Sequence, residues 1–167
     1  GDKRARALQD VANLSPKGET AMSSGSYDRT SFKGLTFHDA VSGFQSGQDT
    51  PRAYLERCLA AIAERDGVVR AFVVLNEAGA RAAGDAATAR YKAGRALSAI
   101  DGMPIGIKDL NVVRFTRTRF GSRGMPRIVL PFDDANVRPL RRAGFVILGK
   151  LSTSELGAMP VTEPDIH

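Results

Sequence analysis

The apolar run Phe145-Val146-Ile147-Leu148 constrains the fold more than any other part of this chain. It follows Gly144, which stops a helical segment predicted to start at Asp133 or Asp134 and to continue through Ala143. A short apolar strand with no polar alternation needs cover on both faces, as parallel strands in α/β proteins have. Pro139 lies inside the helical segment, and a proline there removes a hydrogen bond. Either the helix starts nearer Asn136, which puts Pro139 in its first turn, or it is kinked. A second apolar strand, Met103 to Ile107, comes earlier and is punctuated by Pro104 and Gly106. Helix, glycine and buried strand make half of a βαβ unit, so the sequence predicts an α/β architecture.

Upstream, the helix signals are local and dense. Thr36 with Asp39 reads as a capping box, followed by Phe37, Ala40, Val41 and Phe44 on one helical face. Gly47 closes that helix, and Thr50-Pro51 opens the next with an N-cap hydroxyl and a first-turn proline. Leu55, Cys58, Leu59 and Ile62 form its buried stripe, and Asp66-Gly67 is the predicted end. Val68 to Leu75 reads as a strand, and Asn76 caps an alanine-rich third helix through about Ala93. These segments form a helical lead-in to the α/β body. Residues 1–34 are polar and read as a flexible leader with one short helix around Arg4–Asn13; residues 35–167 read as one domain or the first part of one.

Composition narrows the function classes. The net charge is +6, and a modest arginine cluster (Arg114, Arg117, Arg119, Arg123, Arg127) falls in a helix-free, functional-looking loop over 111–132. No helix-turn-helix, zinc-finger or RNA-recognition pattern accompanies those arginines, so charge alone does not make this a nucleic-acid-binding protein. The single cysteine, Cys58, excludes an internal disulfide and reads as a structural thiol. Two histidines, His38 and His167, are too few and too far apart for a metal centre or a Ser-His-Asp triad. A hydrolytic base in this chain is therefore expected to be something other than histidine, with no cofactor and no metal. No apolar run approaches membrane-spanning length and no signal peptide is visible, which predicts a cytoplasmic protein. The chain opens with Gly1 rather than Met, which suggests processing or truncation.

Gly102-Met103-Pro104-Ile105-Gly106-Ile107-Lys108-Asp109 carries the chemistry. A lysine directly after a buried strand can be held out of water, where burial disfavours the ammonium, and a neutral lysine acts as a general base. Position alone favours a lysine that reaches into solvent. The downstream pattern reverses that balance: Thr118, Gly121-Ser122, Pro131-Phe132-Asp133, then Leu140-Arg141-Arg142-Ala143-Gly144-Phe145-Val146-Ile147-Leu148-Gly149-Lys150. Order and spacing together resemble the amidase signature family over about residues 36–160, with its Gly-x-Pro-x-x-x-Lys-Asp, Thr-x-x-Gly-Ser and Leu-Gly-Lys elements.

The resemblance implies an α/β/α sandwich, incomplete here, and a Ser–cis-Ser–Lys triad that hydrolyses or transfers amides through an acyl-enzyme. Lys108 takes the lysine's role, and Asp109, Thr118, Gly121 and Ser122 belong to the supporting loop. The two serines belong to a Gly/Ser-rich stretch well beyond Lys150, and Ser122, Ser152 and Ser154 do not occupy their places. The expectation is an N-terminal part of an amidase, inactive by itself. Its partners would be a small-molecule amide substrate in the complete enzyme and the rest of the domain, with a homo-oligomer left open. Alternatives are a non-catalytic amidase-like remnant or binding module, and the glutamine-amide-transferring, tRNA-dependent branch of the family. Two departures stand out: Phe115 where the family has glycine, and Val112 where it often has aspartate.

Overall fold

The structure is a computed structural model and describes residues 36–162. The predicted leader and its short helix lie outside the described residues, as does His167.

Helix α1 spans Phe37–Ser46. The Thr36 side chain accepts the Asp39 N–H while the Asp39 carboxylate accepts the Thr36 N–H, so both halves of the capping box form. Gly47, at φ 74°, ends the helix. Helix α2 spans Pro51–Val69, and the Thr50 side chain accepts the Ala53 N–H at its start. It passes straight through Gly67, so the Asp66-Gly67 stop is not observed. The Asp66 carboxylate instead accepts the N–H groups of Ala71 and Phe72, just after Arg70 has turned the chain at φ 51°. Val68 and Val69 are exposed in the last helical turn, which leaves strand β1 as only Phe72–Leu75.

Helix α3 spans Glu77–Lys92, capped by the Asn76 side chain, and runs unbroken through Gly79 and Gly84. Leu55 of α2 comes so near that a Cβ on Gly84 would stand 3.0 Å from its Cδ2. The connection to the next strand is tied down by Asp101, a buried carboxylate that accepts two bonds from Arg90, at 2.8 and 2.5 Å, and one from the Leu97 N–H. That pairing raises the Arg90 pKa above its ordinary value.

Strand β2 is Pro104–Lys108, helix α4 is Val137–Arg142, and strand β3 is Val146–Leu151. Helix α4 begins at the later of the two predicted points. Pro139 falls in its first turn, where its missing N–H has no intrahelical partner to lose. Asp133 and Asp134 do not cap it with their side chains. They reach back to the loop, where Asp134 accepts the Val112 N–H at 2.6 Å and Asp133 accepts the Arg114 N–H at 2.9 Å.

The three strands form a mixed sheet in the order β1-β3-β2, with β3 central, parallel to β2 and antiparallel to β1. The predicted buried run thus becomes the middle strand. One flank packs Leu55, Leu59 and Ala80 against Val146 and Leu148. The other packs Ile107, Val113 and Val137 against Ile147. A third cluster joins Ala40, Val41, Phe44 and Met103, with Phe44 edge-on to Tyr54 and Tyr91.

The β2–β3 register skips a residue: Ile105 pairs with Ile147, but Gly106 pairs with Gly149. Beside the skip, Gly149 lets β1 come close on the other side, since a Cβ there would meet the Val74 carbonyl oxygen at 1.9 Å. Past the skip, Lys150 pairs with Ile107 and Lys108 pairs with Leu151. Paired residues share a face and successive residues alternate, so Lys150 and Lys108 leave the sheet on opposite faces.

Candidate functional site

Lys108 is the last residue of β2. It is exposed, and no described residue makes a hydrogen bond or ion pair with its side chain. Among the described residues, nothing buries this ammonium. Strand β2 is an edge strand of this three-stranded sheet.

The buried lysine is Lys150, at 0% exposure. Its Nζ donates to Asp109 Oδ1 and to Thr118 Oγ1, each at 2.7 Å. Burial pulls its pKa below the usual lysine value, and the Asp109 carboxylate works against that pull. The register skip turns Lys150 to the Ile107 side, where Asp109 and Thr118 are also buried. Sequence reasoning assigned Lys150 no role. No local signal marks it, since Lys108 also ends an apolar strand and is exposed.

Asp109 is the hub of the loop. Its Oδ2 accepts the N–H of Arg119 at 3.1 Å and, more weakly, that of Gly121 at 3.4 Å, while its own N–H donates to the Leu151 carbonyl. One carboxylate thus joins the end of β2, the core of β3 and the turn over 119–121. Thr118 exchanges backbone bonds with Ile128 at 2.8 and 3.0 Å, which closes the loop on itself. Gly121, at φ 67°, lies so close to the chain after β3 that a Cβ would stand 2.6 Å from the Thr153 carbonyl oxygen. Only glycine combines that turn with that approach. Ser122 is buried, donates to Glu155 Oε1 at 2.5 Å and accepts the Gly124 N–H.

Asp109, Thr118, Gly121 and Ser122 thus come together in one connected structure directly behind Lys108. Glu155, which opens a short 3-10 turn over Glu155–Gly157, joins it through Ser122. Two of the three serines weighed as nucleophiles are engaged elsewhere: Ser122 on Glu155, and Ser154 on the Met159 carbonyl. Burial pushes the Cys58 thiol up to about 11, which disfavours its thiolate. Among the described residues no group of three or more His, Cys, Asp or Glu is placed to hold a metal ion. A cavity of about 330 Å³, lined by Asn76, Ala83, Phe115, Thr116, Arg141 and Ile147 among others, does not include Lys108.

Phe115 adopts φ 57°, a left-handed conformation that glycine takes at little cost. The side chain that stands here in place of glycine lies at the cavity rim, 73% exposed. Val112, the other departure, is buried, and its backbone exchanges hydrogen bonds with Asp134.

A protein-family model described as Amidase matches residues 53–167. A glutamyl-tRNA(Gln) amidotransferase subunit from Myxococcus xanthus (strain DK1622) is 38% identical over 121 residues, which is 72% of this chain and 25% of that protein. Among solved structures, an amidase superposes with a TM-score of 0.65 at 30% identity, covering 78% of this chain and 31% of that one. The native peptide amidase from Stenotrophomonas maltophilia superposes with a TM-score of 0.63 at 28% identity, covering 73% and 25% respectively. The chain spans about a quarter of the length of the curated relatives it matches.

Proposed function

The chain belongs to the amidase signature family, and from that premise we propose that it supplies the general base, Lys108, of an enzyme that cleaves carbon–nitrogen amide bonds. The observation that carries this reading is the contrast at the end of β2. Asp109 is locked in place by Lys150 and by the backbone N–H groups of Arg119 and Gly121, while the adjoining Lys108 has no partner among the described residues. A base must be fixed through its backbone and free at its reactive atom, and this arrangement provides both.

In this reading β1–β3 are part of a larger α/β/α sandwich. A nucleophilic serine and a bridging serine come from the Gly/Ser-rich segment that the family resemblance places beyond Lys150. That segment covers Lys108, and withdrawal from water favours the neutral amine. The amine takes a proton from the bridging serine, which takes one from the nucleophile as it attacks the amide carbonyl. Collapse of the tetrahedral adduct expels the amine, protonated by the returning proton, and leaves an acyl-enzyme that water hydrolyses. Ser122 and Ser154 keep their structural hydrogen bonds throughout.

The substrate is a small amide. The curated relative from Myxococcus favours a second reading, in which the amide nitrogen is transferred from glutamine rather than released. Ammonia release from glutamine and from benzamide, measured in the protein carrying the downstream segment, separates the two. In either case Lys108→Ala is expected to lower kcat roughly 10²- to 10⁴-fold, the usual contribution of a positioned proton-transfer group. Turnover retained in that variant would remove Lys108 from the mechanism.

A further inference from the structure

We propose that the loop between β2 and α4 presents a face for single-stranded nucleic acid, on which Arg117 and Arg127 meet phosphates and the exposed Phe115 ring stacks on a base. The inference stands on this loop alone and is independent of the role of Lys108.

Thr118 and Ile128 exchange both backbone bonds, so the segments around them run antiparallel. Bridged residues share a face, and their neighbours take the opposite one. Thr118 is buried, while Arg117, Arg127 and Val129 are exposed on the outward face. Phe115, whose N–H donates to the Leu130 carbonyl, is exposed at the end of the same pairing, and Phe132 is exposed just beyond Leu130. Buried bonds hold the pairing from behind: Thr118 takes the Lys150 ammonium, and Asp109 takes the Arg119 N–H. The outward face is therefore set before any partner arrives, and binding costs little ordering.

Charge decides the kind of partner. Residues 110–132 hold five arginines and no aspartate, glutamate or lysine. The carboxylates bonded to this loop are engaged: Asp109 takes Lys150, Asp133 takes Arg141, Asp134 takes the Val112 N–H and Glu155 takes Ser122. Arg117 and Arg127 make no hydrogen bond or ion pair with any described residue. Arg114 is exposed as well, and its charge acts on Asp133. A protein interface collects apolar groups at its centre and leaves charge to the rim. Here rings and guanidiniums alternate along the chain, as Arg114-Phe115, Arg117, Arg119-Phe120, then Arg127 and Phe132. That interleaving suits a strand that offers a phosphate and a base at each nucleotide, because guanidiniums pair with phosphate and flat rings stack on any base. Charge alone would not single out nucleic acid; charge interleaved with exposed rings on one ordered loop does.

The test is fluorescence anisotropy of the whole chain with labelled oligo(dT) of about 15 nucleotides, repeated between about 50 and 200 mM salt. With Arg114, Arg117 and Arg127 on phosphates, log Kd should rise with log salt at a slope of about 2, from roughly 0.7 per phosphate. Arg117→Gln combined with Arg127→Gln should weaken binding and cut that slope by about 1.4. Phe115→Ala should weaken binding roughly 5-fold or more at an unchanged slope, because stacking releases no counterions. Arg65→Gln combined with Arg95→Gln removes the same charge from exposed positions on α2 and after α3, and should leave affinity and slope as they were. Absence of salt-dependent binding overturns the proposal, and so does an equal loss in that control pair or a Phe115→Ala variant that binds like the parent. Equal affinity for a duplex of the same length overturns it too, since stacking on Phe115 needs unpaired bases. Competition by poly-glutamate as effective, per charge, as that by unlabelled oligo(dT) would assign the face to an acidic polypeptide instead. Should circular dichroism show Phe115→Ala unfolded, Phe132→Ala carries the same comparison, with the same outcomes.

Discussion

The two flanks of β3 are built on different principles. On one, α2 and α3 lay Leu55, Leu59 and Ala80 against Val146 and Leu148, and Arg52 and Arg81 tie the two helices to each other through Asp85 and Glu56. On the other, the loop after β2 has no helix or named strand between Lys108 and Val137 and is held by side chains bonded to backbone. Asp109 holds the turn at 119–121, Asp134 holds Val112, and Asp133 holds Arg114 while pairing twice with Arg141 at 2.7 and 2.9 Å. The packed flank is tolerant in chemistry and strict in shape. The bonded flank is the reverse, and Lys108 emerges where the two meet.

Substitution in each flank should expose the difference. Replacing Lys150 by Ala leaves the Asp109 carboxylate buried and unpaired, and is expected to cost about 3–5 kcal/mol in denaturant unfolding. Leu55→Ala, at a fully buried site, is expected to cost about 2–5 kcal/mol from lost transfer energy and the cavity. The costs overlap, so magnitude does not separate the flanks; repair does. Lys150→Met with Asp109→Asn removes both charges, keeps an acceptor for the Arg119 and Gly121 N–H groups, and should recover most of the loss. No second change of polarity should rescue Leu55→Ala. A double variant as unstable as Lys150→Ala would mean that the bonded flank is governed by shape as well.

Much of the packed flank was legible in the sequence. Thr36 with Asp39, Thr50 with Pro51, and Asn76 announce helix starts because a cap is settled within a few residues of the signal. The run after Gly144 announced the central strand for the same reason. The end of α2 was misread because Asp66 serves the chain beyond the helix instead of stopping it, which moved Val68 and Val69 from strand to helix. The bonded flank was far less legible. Asp133 and Asp134 look like caps for α4, yet their partners lie 19 and 22 residues upstream, a pairing with no local trace. Lys108 could be named from the motif around it, but its exposure depends on what covers β2. Lys150 is hidden by the general rule that lysines stay in water. Only the register skip, a property of two strands together, explains its burial.

Acid should sharpen the comparison at smaller amplitude. The Arg141 guanidinium beside Asp133 holds its carboxyl below the usual carboxylate range, helped by the Arg114 N–H and opposed by burial. A carboxylate with a depressed folded pKa adds stability that is present above its unfolded value, about 3.9, and is lost as pH falls through the folded one. Unfolding free energy should therefore drop as pH falls below about 4. Asp133→Asn should flatten part of that drop while leaving the slope from other carboxylates. A variant whose acid profile overlays the parent would show that the Arg141 pairing contributes nothing to the bonded flank.

The smallest expected effect probes how far the bonded flank dictates its own backbone. Phe115 sits at φ 57° because its N–H donates to the Leu130 carbonyl at 2.7 Å while the next residue, Thr116, bonds back to Val113. For an L-residue with a side chain that conformation costs roughly 1–2 kcal/mol, and glycine escapes the cost. Glycine also gives the unfolded chain more freedom, which returns about 0.4–1 kcal/mol in the other direction. The ring is exposed, so its removal forfeits little burial. Phe115→Gly should thus stabilise the chain by roughly 0–1.5 kcal/mol, read as a rise in the urea midpoint at unchanged m-value. Phe115→Ala isolates the conformational share, because alanine keeps the left-handed strain while losing the same ring. A glycine variant less stable than the alanine variant would mean that the loop does not impose this turn.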